Sequence, residues 1–130
     1  MSTGFPAATG DILTAAMFNG LVTFQDTITD QTADYTAVLA DSYQKIISMN
    51  KATAVAVKIP TNASVAYPVG TVLNVLNKGA GTVTISATTP ATTTIVSAGA
   101  TSASPTLGTA KMAACIKVAT DTWYVVGAIA

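Results

Sequence analysis

The chain has 130 residues, half of them hydrophobic, and a mean hydropathy of +0.52. Six lysines balance six aspartates, and arginine, glutamate and histidine are absent, so charged residues make up only 9 %, far below the roughly 25 % of an ordinary soluble domain. That inventory removes the commonest general base and triad member, a glutamate–aspartate acid–base pair and an arginine phosphate clamp.

A chain of this length fits one domain with an arm to spare, and it can bury enough surface to fold without covalent staples. The single cysteine, Cys115, lies in an apolar run from Met112 to Ile116 and reads as a small buried hydrophobe. A free, neutral monomer with so little charge would tend to associate. The composition therefore predicts that much of the surface is covered by other subunits. No apolar stretch reaches the roughly 18 residues of a membrane span. Met1–Pro6 lacks the basic region and apolar core of a secretory leader, so synthesis in a cytosol is expected.

Residues 1–34 read as an anchoring arm. Asp11 or Thr14 can cap a short helix that Gly20 ends, with Ile12, Leu13, Met17, Phe18 and Leu21 as its apolar residues. So short a helix needs a surface to dock on, which makes these five side chains the candidate particle-anchoring residues. Asp26, Asp30 and Asp34 follow at intervals of four. Without the glycine and glutamate of a calcium loop they read as solvated acidic charges, in a stretch over 26–34 that looks like a linker or an extended strand.

From residue 35 the signals are β. Strands are expected over 35–39, 44–49 and 54–59, where Val55, Val57 and Ile59 alternate onto one face and Pro60 ends the run. Tyr67-Pro68-Val69-Gly70 reads as a turn into a strand over 71–77. Lys78-Gly79-Ala80-Gly81 then leads to a strand over 82–86, the pair forming a hairpin candidate with the glycines at positive φ. Residues 87–106 are rich in Thr, Ala, Ser and Pro. They read as an exposed loop holding one strand at Thr93–Val96. Strands over 111–118 and 123–128 close the domain, with Trp123 inward and Tyr124 outward. The expected fold over 35–130 is all-β, an antiparallel β-sandwich or small barrel of about 7–9 short strands, preceded by the arm with its one short helix.

The six lysines are scattered and aromatics few, so no basic stacking surface for nucleic acid is expected. No cofactor or metal set is in view. A hydrolase built on Asp121 or Cys115 would lack a base, and the chain reads as non-enzymatic. Tyr35, Tyr43, Tyr67 and Tyr124 are the candidate aromatic surface on which a glycan could stack.

The order Asp41–Asn50, then Ile59-Pro60, Tyr67-Pro68-Val69-Gly70-Thr71, Gly79–Ile85 and Trp123–Gly127 resembles a small β-domain of tailed-bacteriophage virion proteins. These are head decoration (cement) proteins together with head-fibre and tail-fibre domains. Gly10–Leu21 is similar to the opening of several such proteins. The likeness covers about residues 10–25 and 41–128, and no coiled or repetitive shaft separates arm from β-domain, which favours a compact cement protein over a long fibre. It implies a homotrimer on the virion capsid surface that grips the major capsid protein or another virion subunit. The alternative is a fibre module that holds host-surface glycans.

Overall fold

The computed structural model describes residues 28–43 and 45–129. The expected helix with Ile12, Leu13, Met17, Phe18 and Leu21 lies outside them, as does Asp26. The all-β expectation holds. Among the described residues ten strands form two sheets: β1 (Asp30–Gln31), β2 (Tyr35–Thr36), β3 (Ile46–Met49), β4 (Val55–Ile59), β5 (Val72–Asn77), β6 (Val83–Ala87), β7 (Thr94–Val96), β8 (Thr106–Leu107), β9 (Lys111–Ala119) and β10 (Thr122–Gly127). The larger sheet has the order β1-β3-β5-β9-β10-β7, and the smaller β2-β4-β6-β8.

From β1 to β8 the chain changes sheet at every step. Each of β1 to β4 therefore pairs with the strand two later, met after a full coil and running in the same direction. β1–β3, β3–β5, β2–β4 and β4–β6 are all parallel, as is β10–β7, while β5–β9, β9–β10 and β6–β8 are antiparallel. The sheets are thus mixed, where antiparallel pairing was expected. Two successive coils repeat at 28 residues, with Ile46 opposite Asn74 in one sheet and Val55 opposite Val83 in the other.

The same winding corrects the hairpin expected between 71–77 and 82–86, because β5 and β6 lie in different sheets. The glycines between them serve close approach and are not at positive φ. A Cβ on Gly79 would overlap the backbone of Lys51, and one on Gly81 the backbone of Thr53, each 28 positions earlier in the coil below. The stacked turns are stitched by Lys78 N–H to Met49 C=O at 2.8 Å, Gly81 N–H to Lys51 C=O at 2.9 Å and Val55 N–H to Thr82 C=O at 3.0 Å. Inside the upper turn, buried Asn77 donates Nδ2 to the carbonyls of Gly81 (2.8 Å) and Leu107 (2.9 Å) and accepts the Gly79 N–H (3.0 Å). One side chain thereby satisfies backbone groups that the tight turn removes from water.

Two local expectations also change. The strand expected over 35–39 stops at Thr36, and a 3₁₀ turn spans Leu39–Ser42. Asp41 holds it, its carboxylate accepting the Val38 N–H at 2.8 Å and the Tyr35 hydroxyl at 2.7 Å. β1 falls in the stretch read as a linker or an extended strand, and it pairs with β3. Asp30 and Asp34 are accordingly not free linker charges: Asp30 accepts from Ser48, Asn50 and Lys78, and Asp34 from the Ala56 N–H.

The Tyr67–Gly70 turn forms as read. Thr71 N–H donates to Pro68 C=O at 3.1 Å, and Gly70 takes the positive φ of 96° that a type II turn puts on its third residue. The core between the sheets is filled by Trp123, Met49, Ile59, Leu73, Ile85, Ile95 and Leu107, with the Trp123 and Tyr67 rings edge to face at 5.5 Å. The interval 87–106 is more engaged than an exposed loop: Thr93, Ser97 and Pro105 are buried, and Ser97 Oγ donates to Val125 C=O at 2.9 Å.

Candidate functional site

Strand alternation places successive side chains on opposite faces of a sheet, so each sheet has one face in the core and one outside. On the smaller sheet the outer positions are Thr36, Ala56, Lys58, Thr84, Ser86 and Thr106. This is an ordinary hydrated β-surface of hydroxyls and a lysine, and it matches the inside-apolar, outside-polar pattern of a half-buried sheet.

The larger sheet is different. The registers of β5, β9, β10 and β7 align Val72, Ile116, Tyr124 and Val96 in one row across four strands. The next row is Ile46, Asn74, Ala114 and Val126. Leu76 and Met112 begin a third, which ends at Ser48 and Asp30. Val118 extends the face at the far end of β9, and Val69 lies in the turn whose Gly70 N–H donates to Lys117 C=O at 2.7 Å.

On β3, β5, β7, β9 and β10 no outward position carries a charged side chain. Tyr124 and Val126 are 45 % and 49 % exposed, Val72 42 % and Val69 63 %. Isolated exposed hydrophobes are normal, but a contiguous set in register over several strands marks an interaction surface. Strands apolar at nearly every position ordinarily belong to a sheet covered on both faces, and here Val72, Met112, Val118, Tyr124 and Val126 stay exposed on the outer one.

The charges border this face. Lys78 Nζ meets the Asp30 carboxylate at 2.9 Å beside β1, at one margin. Hydrogen bonds from Ser48, Lys78 and Asn50 lower the Asp30 carboxyl from 3.8 to about 2. Lys117 is taken inside: its Nζ donates to Asn62 Oδ1 at 2.5 Å and to Tyr67 C=O at 2.6 Å. Asp121 holds the β9–β10 turn to neighbouring loops by accepting the Asn62 N–H (2.7 Å) and the Thr93 hydroxyl (3.2 Å).

The four tyrosines are not brought together. Tyr67 is core, and its hydroxyl donates to Val38 C=O at 2.6 Å; Tyr35 is half-buried against Asp41. Burial raises both phenols above their ordinary value, with Asp41 adding to it. Only Tyr43 and Tyr124 are exposed, Tyr43 after the 3₁₀ turn and Tyr124 in the apolar rows. Trp123 inward and Tyr124 outward agree with the alternation read from sequence. Cys115 is buried opposite Val125, and loss of hydration pushes its thiol up to about 12. The thiolate a nucleophile needs is therefore disfavoured.

Sequence reasoning missed the apolar face. The signal was present: Val72, Ile116, Val118, Tyr124 and Val126 occupy the alternate positions of strands whose other positions are mostly apolar as well, Leu73, Val75, Ala113, Cys115, Trp123 and Val125 among them. Near-continuous hydrophobic strands are the mark of a sheet covered on both sides. Compared with family models, curated proteins and solved structures, the chain matches none, so the reading of this site rests on its own residues.

Proposed function

We propose that the chain is a structural virion protein, a capsid decoration (cement) protein that binds the assembled shell and stabilises it through subunit contacts. The observation that carries this reading is the apolar outer face of the larger sheet, free of charge across β3, β5, β7, β9 and β10, set against the polar outer face of the smaller one. A surface of that kind is completed by a contact and offers no group that makes or breaks bonds. Zero net charge and 9 % charged residues agree with a protein that works in an assembly, and the virion setting rests on the resemblance of its turn and strand order. The partners in this reading are copies of itself, a homotrimer, and the major capsid protein or another virion subunit. Its place is the capsid surface, after synthesis in the host cytoplasm. The fibre alternative, a glycan platform, receives less support, because Tyr67 is in the core and Tyr35 is bound to Asp41.

The mechanism is linkage. A clamp that binds only the assembled shell stabilises it by about 2.7 kcal/mol per site when present at about 100 times its Kd. The test is the thermal disruption of shells with and without the protein. A raised disruption temperature is expected. Shells that take up the protein and disrupt at an unchanged temperature overturn the proposal.

A further inference from the structure

We infer that the outer face of the larger sheet is covered by the same face of another copy of this chain, the two six-stranded sheets packing as a second, intermolecular sandwich. The inference rests on the contact-protein reading and names the partner of that surface.

Three observations select this occupant. The first is charge. The outward positions of β3, β5, β7, β9 and β10 carry no charge, so a charged partner surface would lose hydration there and find no counter-ion. A copy brings an uncharged apolar face by construction, and a two-fold contact of like with like is self-complementary. The second is area. Five strands at about 4.8 Å spacing and about 20 Å of strand length give a footprint of roughly 500 Å². Two opposed faces bury about 1,000 Å², the threshold for a specific interface. The third is sidedness. The smaller sheet's outer face is polar, with Lys58, Thr84 and Ser86. Association through the larger sheet alone therefore closes into a finite oligomer and leaves a hydrated exterior.

The rows also say where the energy lies. Val72, Ile116, Tyr124 and Val126 are central, with Tyr124 the one large aromatic. The Asp30–Lys78 pair stands at the margin, where an interface is normally polar.

The experiment uses the full-length chain, alone and without any shell. Sedimentation at graded concentrations is expected to show a dimer for the wild type. Val126→Lys is expected to weaken self-association by at least about tenfold, while Thr84→Lys on the smaller sheet leaves it unchanged. Because a face substitution can also disturb folding, Tyr124→Cys and Thr84→Cys are compared with a short bismaleimide. A covalent dimer is expected from Tyr124→Cys alone, Cys115 being buried. A monomeric wild type overturns the inference, for then residues 1–27 or a different protein cover the face. So does an oligomer that Val126→Lys leaves intact or that Tyr124→Cys fails to cross-link. None of these results touches shell binding, which the disruption assay reads independently.

Discussion

Lys117 shows at the level of one residue why this chain tolerates so few charges. Its ammonium is buried with no carboxylate of the described residues paired to it, held by one side-chain amide oxygen and one backbone carbonyl. Truncation to alanine strands both acceptors and opens a cavity beside Trp123, its cross-strand partner. Lys117→Ala is expected to cost about 3 kcal/mol in urea unfolding, and Lys117→Met less, because the methionine refills the space and no longer buries a charge. Equal losses for the two would mean that the hydrogen bonds alone matter.

Asp30 sets a pH dependence. Its folded carboxyl lies at about 2 against an ordinary 3.8. A depressed folded value contributes stability in full above the unfolded value, and that contribution is lost as pH falls from about 4 towards about 2. Asp30→Asn should flatten that part of the curve of urea midpoint against pH; an unchanged curve would show that Asp30 contributes nothing. Cys115 supplies a reactivity prediction: with its thiol near 12 and its side chain buried, labelling by a thiol reagent at neutral pH should follow global unfolding. Rapid labelling of the folded protein would contradict the burial.

Between elements, the unit of stability is the stacked turn. Gly79 and Gly81 let one coil lie against Lys51 and Thr53 of the coil below, and Asn77 closes the turn with three hydrogen bonds. Gly81→Ala puts a methyl group into backbone and is expected to cost at least about 1–3 kcal/mol, since backbone yields less readily than a side chain. Asn77→Ala leaves buried partners unpaired and is expected to cost about 3 kcal/mol. Both should lower the denaturant midpoint at an unchanged slope.

For the whole molecule, the contrast between the two outer faces is the organising fact. Contacts made through uncharged valines, isoleucine and a tyrosine are governed by apolar burial and not by ion pairing. Self-association should accordingly change little between roughly 0.05 M and 0.5 M sodium chloride, strengthen in sulfate and weaken on cooling. A steep loss of association with added salt, followed by sedimentation, would place the interface on charged groups and away from this face.

The residues alone determined that the chain is all-β, where most strands lie, that Trp123 points inward, and that the Tyr67–Gly70 segment turns. These features are local: period-two alternation, β-branched side chains, and a glycine where φ must be positive. Strand partners were decided only in three dimensions. Val55, Val57 and Ile59 reveal a buried face, but nothing in their spacing says that β4 lies beside β6 of the next coil and not beside β5. β8 was overlooked because Leu107 is a lone large hydrophobe in a Ser-, Pro- and Thr-rich stretch, and only tertiary packing shows it fully buried. The outer face emerged for the same reason. Alternation tells which residues share a face of a strand, whereas whether that face meets the core or the outside depends on how the coils stack, and stacking joins residues 28 positions apart that no short-range pattern connects.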